Sequence, residues 1–234
     1  REQADPLLAS MLLCWLGESD GVPELLSALD ALAADDGEQV GAVDAGGRPK
    51  GGIVGGIDAY WHVNQLIVLL GLAGDERAVK PLSDLAAATT PGEVSDDHAR
   101  LHWRRASRYD RIANLCFALE RLADSTAADG LSRLLEREGV RGYAEPSDLG
   151  GRENAAMAWL ELAVGRTLAR CGGTHGARVL VEYLTDVRGV FAVHARRELM
   201  AVTGQDFGYD PARWQRWLDE HEPNVTPCTS QERF

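Results

Sequence analysis

A fourfold internal repeat constrains the fold of this chain more than any other feature. Four segments align without gaps, namely residues 12–26, 69–83, 118–132 and 167–181, and each contains two apolar stretches around a short polar turn. The aligned apolar positions are Leu13, Leu70, Leu119 and Leu168; Leu25, Leu82, Leu131 and Leu180; Val22, Val79, Ala128 and Ala177; and Ala9, Leu66, Leu115 and Val164. Because their spacing follows one face of an amphipathic helix and has no period of two, the pattern predicts paired helices and excludes strands.

The turn between the two helices has the same chemistry in most copies. A glycine ends the first helix in three of them, at Gly17, Gly74 and Gly172, and Ala123 takes its place in the third copy. This position favours the left-handed conformation that glycine adopts without steric cost. The next residues, Asp75 and Asp124, are candidate N-caps. Pro23 and Pro81 lie in the first turn of the second helices, where a missing amide hydrogen does no harm. Each copy is therefore predicted to be a helical hairpin.

The second copy carries a resemblance to a known family. Its segment Leu72–Leu82 resembles the bacterial type of HEAT-like repeat, which reads approximately Leu-Gly-x-x-Gly-Asp-x-Arg-Ala-Val-x-x-Leu, and the third and fourth copies resemble it in their apolar positions. The resemblance covers most of residues 7–220. It implies an all-α fold, an α–α superhelix (HEAT-like solenoid) of four to five helical hairpins with long insertions at the junctions. It also implies a single domain over residues 1–220 and a flexible tail over residues 221–234.

Aromatic residues are expected to cover the last hairpin and to pack between the others. The stretch 203–220 is similar to the closing segment of HEAT-like proteins, with a helix start at Asp210-Pro211 and with Trp214, Trp217 and Leu218 covering the last hairpin. Four further tryptophans occupy related places in the repeats or their junctions and are predicted to pack between hairpins. They are Trp15, Trp61, Trp103 and Trp159.

Charge excludes some classes of partner. The chain has 36 acidic and 24 basic side chains, a formal charge of -12, whereas phosphate binding needs an excess of lysine and arginine. Nucleic acid and membranes are therefore not expected partners, and no apolar run approaches the roughly 20 residues that span a bilayer. The sequence begins at Arg1 without a methionine or a signal peptide, so we expect a piece of a longer protein, and its localisation stays open.

No motif in the chain predicts a metal, a cofactor or a catalytic site. Cys14, Cys116 and Cys171 lie in apolar helical patterns and are expected to be buried, and Cys228 forms no Cys-x-x-Cys pair with any of them. The spacings Asp58/His62 and His98/His102 could each place two ligands on one side of a helix, but a His-Glu-x-x-His motif is absent. Signatures of serine or cysteine nucleophiles are absent as well.

Extra chain separates the repeats. The turn positions are 57, 49 and 49 residues apart, longer than the roughly 40 to 47 residues of a plain HEAT or armadillo repeat. We assign insertions to residues 35–60, 88–110 and 138–156 and expect them on one edge of the solenoid. The glycine-dense stretch 46–56 has no phosphate-loop signature, which favours a mobile connector.

The second insertion is rich in arginine, although the chain is acidic overall, and it supplies the candidate binding residues. These are Arg100, Trp103, Arg104, Arg105, Arg108, Tyr109 and Arg111. On a helix that starts after Ser95, four of the arginines lie along one side at spacings of four, four and three. They could bind an acidic surface, a carboxylate or a phosphate through bidentate contacts. Alternatively, they pair with acidic groups of the same chain, and their aliphatic stems cover Trp103.

Two functions are compatible with these features. The first is a non-catalytic helical scaffold that binds another protein or another domain of its own polypeptide. The second follows from a resemblance of Tyr60–Gly71 and Ser107–Glu120 to the helical repeat region attached to some bacterial FAD-dependent oxidoreductases. That family tends to have a histidine pair where Tyr109 and Asp110 stand here. The flavin fingerprint is missing from this sequence, so under this hypothesis redox chemistry would belong to a part outside it, and no cofactor is assigned to this chain.

Overall fold

A computed structural model of the protein describes residues 6–39, 52–90, 98–145, 152–221 and 227–229. Within these ranges the chain is all-α and contains no strand, as the repeat predicts. The helices are α1 (Pro6–Trp15), α2 (Val22–Gln39), α3 (Gly52–Ala73), α4 (Val79–Ala88), α5 (His98–Leu122), α6 (Ala128–Leu135), α7 (Arg152–Arg170), α8 (Thr174–Tyr183), α9 (Gly189–Thr203) and α10 (Pro211–His221). Short 3₁₀ turns precede α2, α4 and α6, at Ser19–Gly21, Glu76–Ala78 and Ser125–Ala127.

The turns that close the first helix of each repeat have the predicted backbone. Gly17, Gly74 and Gly172 have φ values of 86°, 66° and 86°, in the left-handed region. Ala123, which replaces the glycine in the third repeat, has a φ of 45° and is the only non-glycine residue with a positive φ among those described. The same chain reversal is thus formed in all four repeats, in one of them at the steric cost of a Cβ.

Aspartate caps hold the two central turns, as the sequence predicts. The backbone N–H of Arg77 donates to Asp75 Oδ1 at 2.9 Å, and the N–H of Thr126 donates to Asp124 Oδ1 at 2.8 Å. The Arg77 guanidinium also bonds to Asp75, which holds the pKa of that carboxyl below its ordinary value. These contacts satisfy amide groups that a helix start leaves without a partner.

The described chain divides into two compact units, residues 1–78 and 79–234. In the first unit, α1 packs against α2 and α3, and α2 packs against α3. Its buried side chains include Val22, Leu25, Leu66 and Leu70. Gly21 lies directly against the backbone of Ser10 and the Cys14 side chain, so that a Cβ at this position would collide with α1. One side of α1 is therefore fixed close to the 3₁₀ turn.

In the second unit, each hairpin contacts the next one along the chain. Helix α4 packs against α5 and α6, α5 and α6 pack against α7, and α7 packs against α8 and α9. Helix α8 also contacts α9 and α10. Glycines permit the closest approaches, because a Cβ on Gly130 would meet the backbone of Ser83 and one on Gly176 would meet the backbone of Gly165.

The aligned leucines are buried in nearly every copy. Leu70, Leu119 and Leu168 are completely inaccessible, as are Leu25, Leu82, Leu131 and Leu180. This confirms the helical register that the repeat predicts. The exception is Leu13 of the first repeat, which is exposed together with its neighbours on α1. Trp15 is also exposed, so the prediction that it packs between hairpins is wrong.

The closing segment has the predicted helix start and buried aromatic group. Asp210 Oδ1 accepts hydrogen bonds from the backbone N–H groups of Ala212 (3.0 Å) and Arg213 (3.2 Å), and α10 begins at Pro211. Trp214 is fully buried, and its Nε1 donates to the carbonyl of Gly208 at 2.9 Å. Together with buried Leu218 it forms the inner side of α10, which packs against α8.

The structure corrects one feature of the insertions. Helix α3 begins at Gly52, so residues 52–56 of the glycine-dense stretch are helical instead of a connector, while residues 46–51 lie outside the described part. Ile53 and Ile57 there have the spacing of one helix face. Residues 98–110 of the second insertion are the first turns of α5, in agreement with the helix that the sequence predicts there.

Parts of the third insertion and of the tail are hydrogen-bonded to the helices. In the described portion of the third insertion, Val140 is buried, and residues 141–145 are hydrogen-bonded to α7 and to the start of α9. In the tail, the backbone N–H of Cys228 donates to the Arg170 carbonyl at 2.8 Å.

Candidate functional site

The apolar face of α1 is the largest exposed group of hydrophobic side chains on one described helix. We use this name for Leu8, Leu12, Leu13 and Trp15 of α1 together with Leu16, the next residue, whose exposed fractions lie between 38% and 72%. Leu8, Leu12 and Trp15 follow each other at spacings of four and three, which places them within about 60° of one another around the helix axis. Scattered exposed leucines are ordinary, but a contiguous group of this size is typical of a contact surface.

The opposite side of α1 explains why this face points to solvent. Cys14 is completely buried, and Gly21 approaches the helix there so closely that no side chain could fit between them. Burial raises the pKa of the Cys14 thiol, with a smaller contribution from the charge of Asp75. The thiol therefore acts as a small apolar group that fixes one side of α1 and leaves the apolar face turned outwards.

The predicted arginine site is placed only in part by the structure. Its residues all lie on α5, a single helix from His98 to Leu122, as the sequence analysis assumes. The side chains of residues 98–109 lie outside those described, which leaves Arg111 as the only candidate whose surroundings are known. Arg111 is 7% exposed and is thus buried in the second unit. Arg111 is therefore not part of an exposed docking surface.

A buried carboxylate on α7 forms the densest polar cluster of the described chain. Glu161 is inaccessible to solvent and accepts hydrogen bonds from four donors. Its Oε1 is 2.5 Å from Arg141 Nη1 and 3.1 Å from the backbone nitrogen of Gly142. Its Oε2 is 2.7 Å from the backbone nitrogen of Tyr143 and 2.8 Å from the Tyr183 hydroxyl. Glu161 thereby ties the loop over residues 141–143 to α7 and α8.

Tyr183 and Asp186 extend this cluster. Burial raises the pKa of the Tyr183 hydroxyl, and the neighbouring Glu161 carboxylate raises it further, so Tyr183 stays a hydrogen-bond donor. Asp186 accepts from Arg188 Nε at 2.8 Å and from the Glu145 backbone nitrogen at 2.9 Å. Burial alone would raise the pKa of Asp186, but these hydrogen bonds outweigh it and lower that pKa.

A second set of ion pairs lies further along α7. Arg166 Nε donates to Glu120 Oε1 at 2.6 Å, and the Thr167 hydroxyl donates to the same oxygen at 2.8 Å. Burial raises the pKa of Glu120 against the opposing effect of Arg166. One turn later, Arg170 Nε donates to Glu198 Oε2 at 2.8 Å, so α5, α7 and α9 are linked by buried charges.

Two buried thiols lie in the same part of the chain. Burial raises the pKa of the Cys116 and Cys171 thiols to about 12 each, which keeps both sulfurs protonated and poorly nucleophilic. Among the described residues, no group of three or more histidine, cysteine or acidic side chains is placed to hold a metal ion. The helices in that same part of the chain include none that is long and apolar enough to cross a membrane.

Sequence reasoning missed both the apolar face of α1 and the role of Glu161. For Glu161 a signal exists, because a lone carboxylate between Leu160 and Leu162 interrupts an apolar run on the predicted inner face. For α1 the sequence offers none, because its leucines have the pattern of a buried helix. Comparisons of the chain with protein-family models, curated proteins and solved structures gave no match.

Proposed function

We propose that this chain is a non-catalytic helical-repeat scaffold that works by docking to protein surfaces. The observation that carries the proposal is the apolar face of α1, where five large hydrophobic side chains of neighbouring turns are exposed. Exposed apolar area of this extent favours association, because contact with another apolar surface removes it from water.

The recurrence of one hairpin geometry supports a solenoid as the form of the scaffold. Left-handed turn residues at equivalent positions and the matching buried leucines indicate that each repeat is the same structural unit. A single hairpin cannot bury both sides of its apolar stripe, so hairpins of this kind are stable when they stack. Stacked hairpins present long surfaces and few enclosed cavities, an arrangement that favours binding over catalysis.

The buried carboxylates already accept hydrogen bonds from groups of the same chain, which also supports a non-catalytic scaffold. Glu161 is occupied by four donors, and Glu120 is occupied by Arg166 and Thr167. A general acid or base must exchange protons with a bound substrate, which requires a carboxylate that reaches a cleft. The arginine-rich start of α5 is a second candidate docking surface, suited to an acidic partner surface through Arg104, Arg105 and Arg108.

Capture from a lysate of the source organism tests the proposed function. The full 234-residue chain is immobilised, and bound proteins are quantified for the unchanged chain, for Leu12→Glu on α1, and for a triple variant with Arg104, Arg105 and Arg108 changed to Glu. We expect specific capture that at least one of these variants loses, while Val193→Glu on α9 retains it. Capture that is the same for all four folded proteins would contradict the proposal. A stoichiometric flavin in the purified chain would instead favour the oxidoreductase hypothesis.

A further inference from the structure

We infer that the apolar face of α1 is the contact surface between two copies of this chain. This inference rests on the proposed function, because it takes α1 as a docking face. It goes further by naming the molecule that docks there. Leu8, Leu12 and Trp15 form a stripe along the exposed side of the helix, and Leu16 flanks it. In an antiparallel pair related by a twofold axis, Leu12 would lie near the axis and Leu8 would face Trp15 of the other copy.

The charge of α1 favours a second copy as the occupant. No residue of Pro6–Trp15 is charged, although each chain carries a formal charge of -12. Two such chains repel each other over most of their surfaces, and like charges placed face to face in an interface are unfavourable. The apolar face of α1 brings no like charges together. It also offers no group that could pair with a charged partner surface, so its occupant must itself be apolar.

The later repeats show how the side of the helix next to this stripe is covered. Leu70, Leu119 and Leu168 stand where Leu13 stands in the first repeat, and all three are completely buried by helical neighbours. Leu66 and Leu115, the equivalents of Ala9, are buried as well. Ala9 and Leu13 lie about 60° to 100° further round the helix axis than Leu12, so this covered side adjoins the stripe of the other residues. The stripe itself could be covered by α1 of a second copy, which is an apolar helix of matching length.

The area is sufficient for a weak dimer. The exposed parts of the five side chains amount to roughly 500 Å², at the upper end of the largest apolar patch on a typical monomer. Two copies would together bury about 1,000 Å² through these side chains, which is near the lower limit for a specific interface. We therefore expect reversible association in the micromolar range and not an obligate dimer.

Sedimentation velocity of the purified full chain over a range of concentrations tests the inference. Leu12→Glu is compared with Val193→Glu, because both residues are exposed apolar residues on helices, at 52% and 55%. We expect the unchanged chain and Val193→Glu to dimerise, and Leu12→Glu to weaken the association about tenfold or more, as burial of two charges in a contact requires. A monomer at all concentrations, or a dimer that Leu12→Glu leaves intact, would overturn the inference.

Disulfide trapping tests the same contact without weakening it. In a Cys228→Ser background, the remaining cysteines Cys14, Cys116 and Cys171 are buried and should not react. Leu12→Cys should then form a covalent dimer under mild oxidation, because the twofold arrangement places this residue next to its own copy. Val193→Cys should remain monomeric on the same non-reducing gel. Equal trapping of the two variants, or no trapping at position 12, would argue against the proposed pair.

Circular dichroism and thermal melting separate these outcomes from misfolding. Glutamate is a good helix former, and position 12 is exposed, so Leu12→Glu should keep its helix content and melting temperature. If the substitution unfolds the chain, the trapping result decides alone. The purified chain contains no other partner, so an unchanged chain that stays monomeric yet captures proteins from the lysate would remove this inference and leave the proposed function standing. An unchanged chain that dimerises but captures no protein from the lysate would contradict the proposed function and leave the α1 contact standing.

Discussion

Helices α1 and α7 occupy the same place in the repeat, but they have opposite environments. Helix α1 has no charged residue, and most of its large apolar side chains are exposed. Helix α7 carries Glu161, Arg166 and Arg170, and its inner face is nonetheless buried. The comparison teaches that the burial of a helix in this protein depends on its neighbours more than on its own hydrophobicity.

Elements next to α7 supply hydrogen-bond partners for its charged side chains. Helices α5, α8 and α9 and the loop before α7 all contribute partners to its polar groups, so each buried charge is compensated by hydrogen bonds. Among the described residues, the close contacts of α1 lie on its Cys14 side. Variants on α7 should therefore disturb folding, whereas equivalent variants on α1 should leave the free energy of unfolding nearly unchanged.

The largest effect is expected for Glu161→Ala. Removing this carboxylate leaves Arg141, the Tyr183 hydroxyl and two backbone N–H groups without their shared acceptor, which should lower the free energy of unfolding by about 3 to 5 kcal/mol. Glu182→Ala is the matched control, since Glu182 bonds to Arg141 from an exposed position and should cost less than about 1 kcal/mol. Urea denaturation measures both. Similar losses for the two variants would contradict the structural role given to Glu161.

The second comparison is between the aligned leucines of the two helices. Leu168→Ala should cost about 2 to 5 kcal/mol, because the side chain is fully buried in α7 and its removal leaves a cavity. Leu13→Ala at the equivalent place on α1 should cost less than about 1 kcal/mol in dilute solution. Denaturant melts at low protein concentration avoid any effect of association. A large loss for Leu13→Ala would mean that α1 is more tightly packed than its exposure indicates.

The sequence predicted the local features of both helices but not the contrast between them. The turn glycine, the Asp124 cap and the leucine register depend on a few adjacent residues, and such short-range physics repeats wherever the pattern repeats. Whether Leu13 is covered depends instead on distant elements. The same holds for Glu161, whose partners Arg141 and Tyr183 lie 20 and 22 residues away. The arginine site remains a prediction from helical spacing, and only buried Arg111 was located.

Acid should weaken the loop between α8 and α9, where Asp186 lies. The pKa of Asp186 is lowered from its ordinary value of 3.8, so the native state holds the ionised carboxylate more firmly than the unfolded state does. The contribution of Asp186 to stability is complete above its pKa in the unfolded state. It is lost as the pH falls through its lower pKa in the folded state. We expect Asp186→Asn to be less stable than the unchanged chain at neutral pH and the difference to shrink below pH 3.8. Urea melts across this range measure it, and a constant difference would contradict the assignment.

The smallest effects are expected at the turns, where the contrast between the helices should disappear. Gly17 after α1 and Gly172 after α7 have the same φ of 86°, so the local geometry does not depend on how well the helix is covered. A Cβ at Gly17 meets no neighbouring atom within 4 Å, so Gly17→Ala should cost only the strain of a left-handed alanine, about 1 to 2 kcal/mol. The lower entropy of the unfolded chain offsets about 0.4 to 1 kcal/mol of this, which leaves a net loss of about 0.5 kcal/mol.

Ala123 already bears that strain at a φ of 45°. Ala123→Gly should relieve about 1 to 2 kcal/mol of strain and increase the entropy of the unfolded chain by about 0.4 to 1 kcal/mol, a net gain of about 0.5 kcal/mol. Opposite signs for Gly17→Ala and Ala123→Gly in the same denaturant assay would establish that the four turns are equivalent. Two losses would mean that the Ala123 methyl group contributes packing that outweighs its strain, and the third repeat would then differ from the others in more than its sequence.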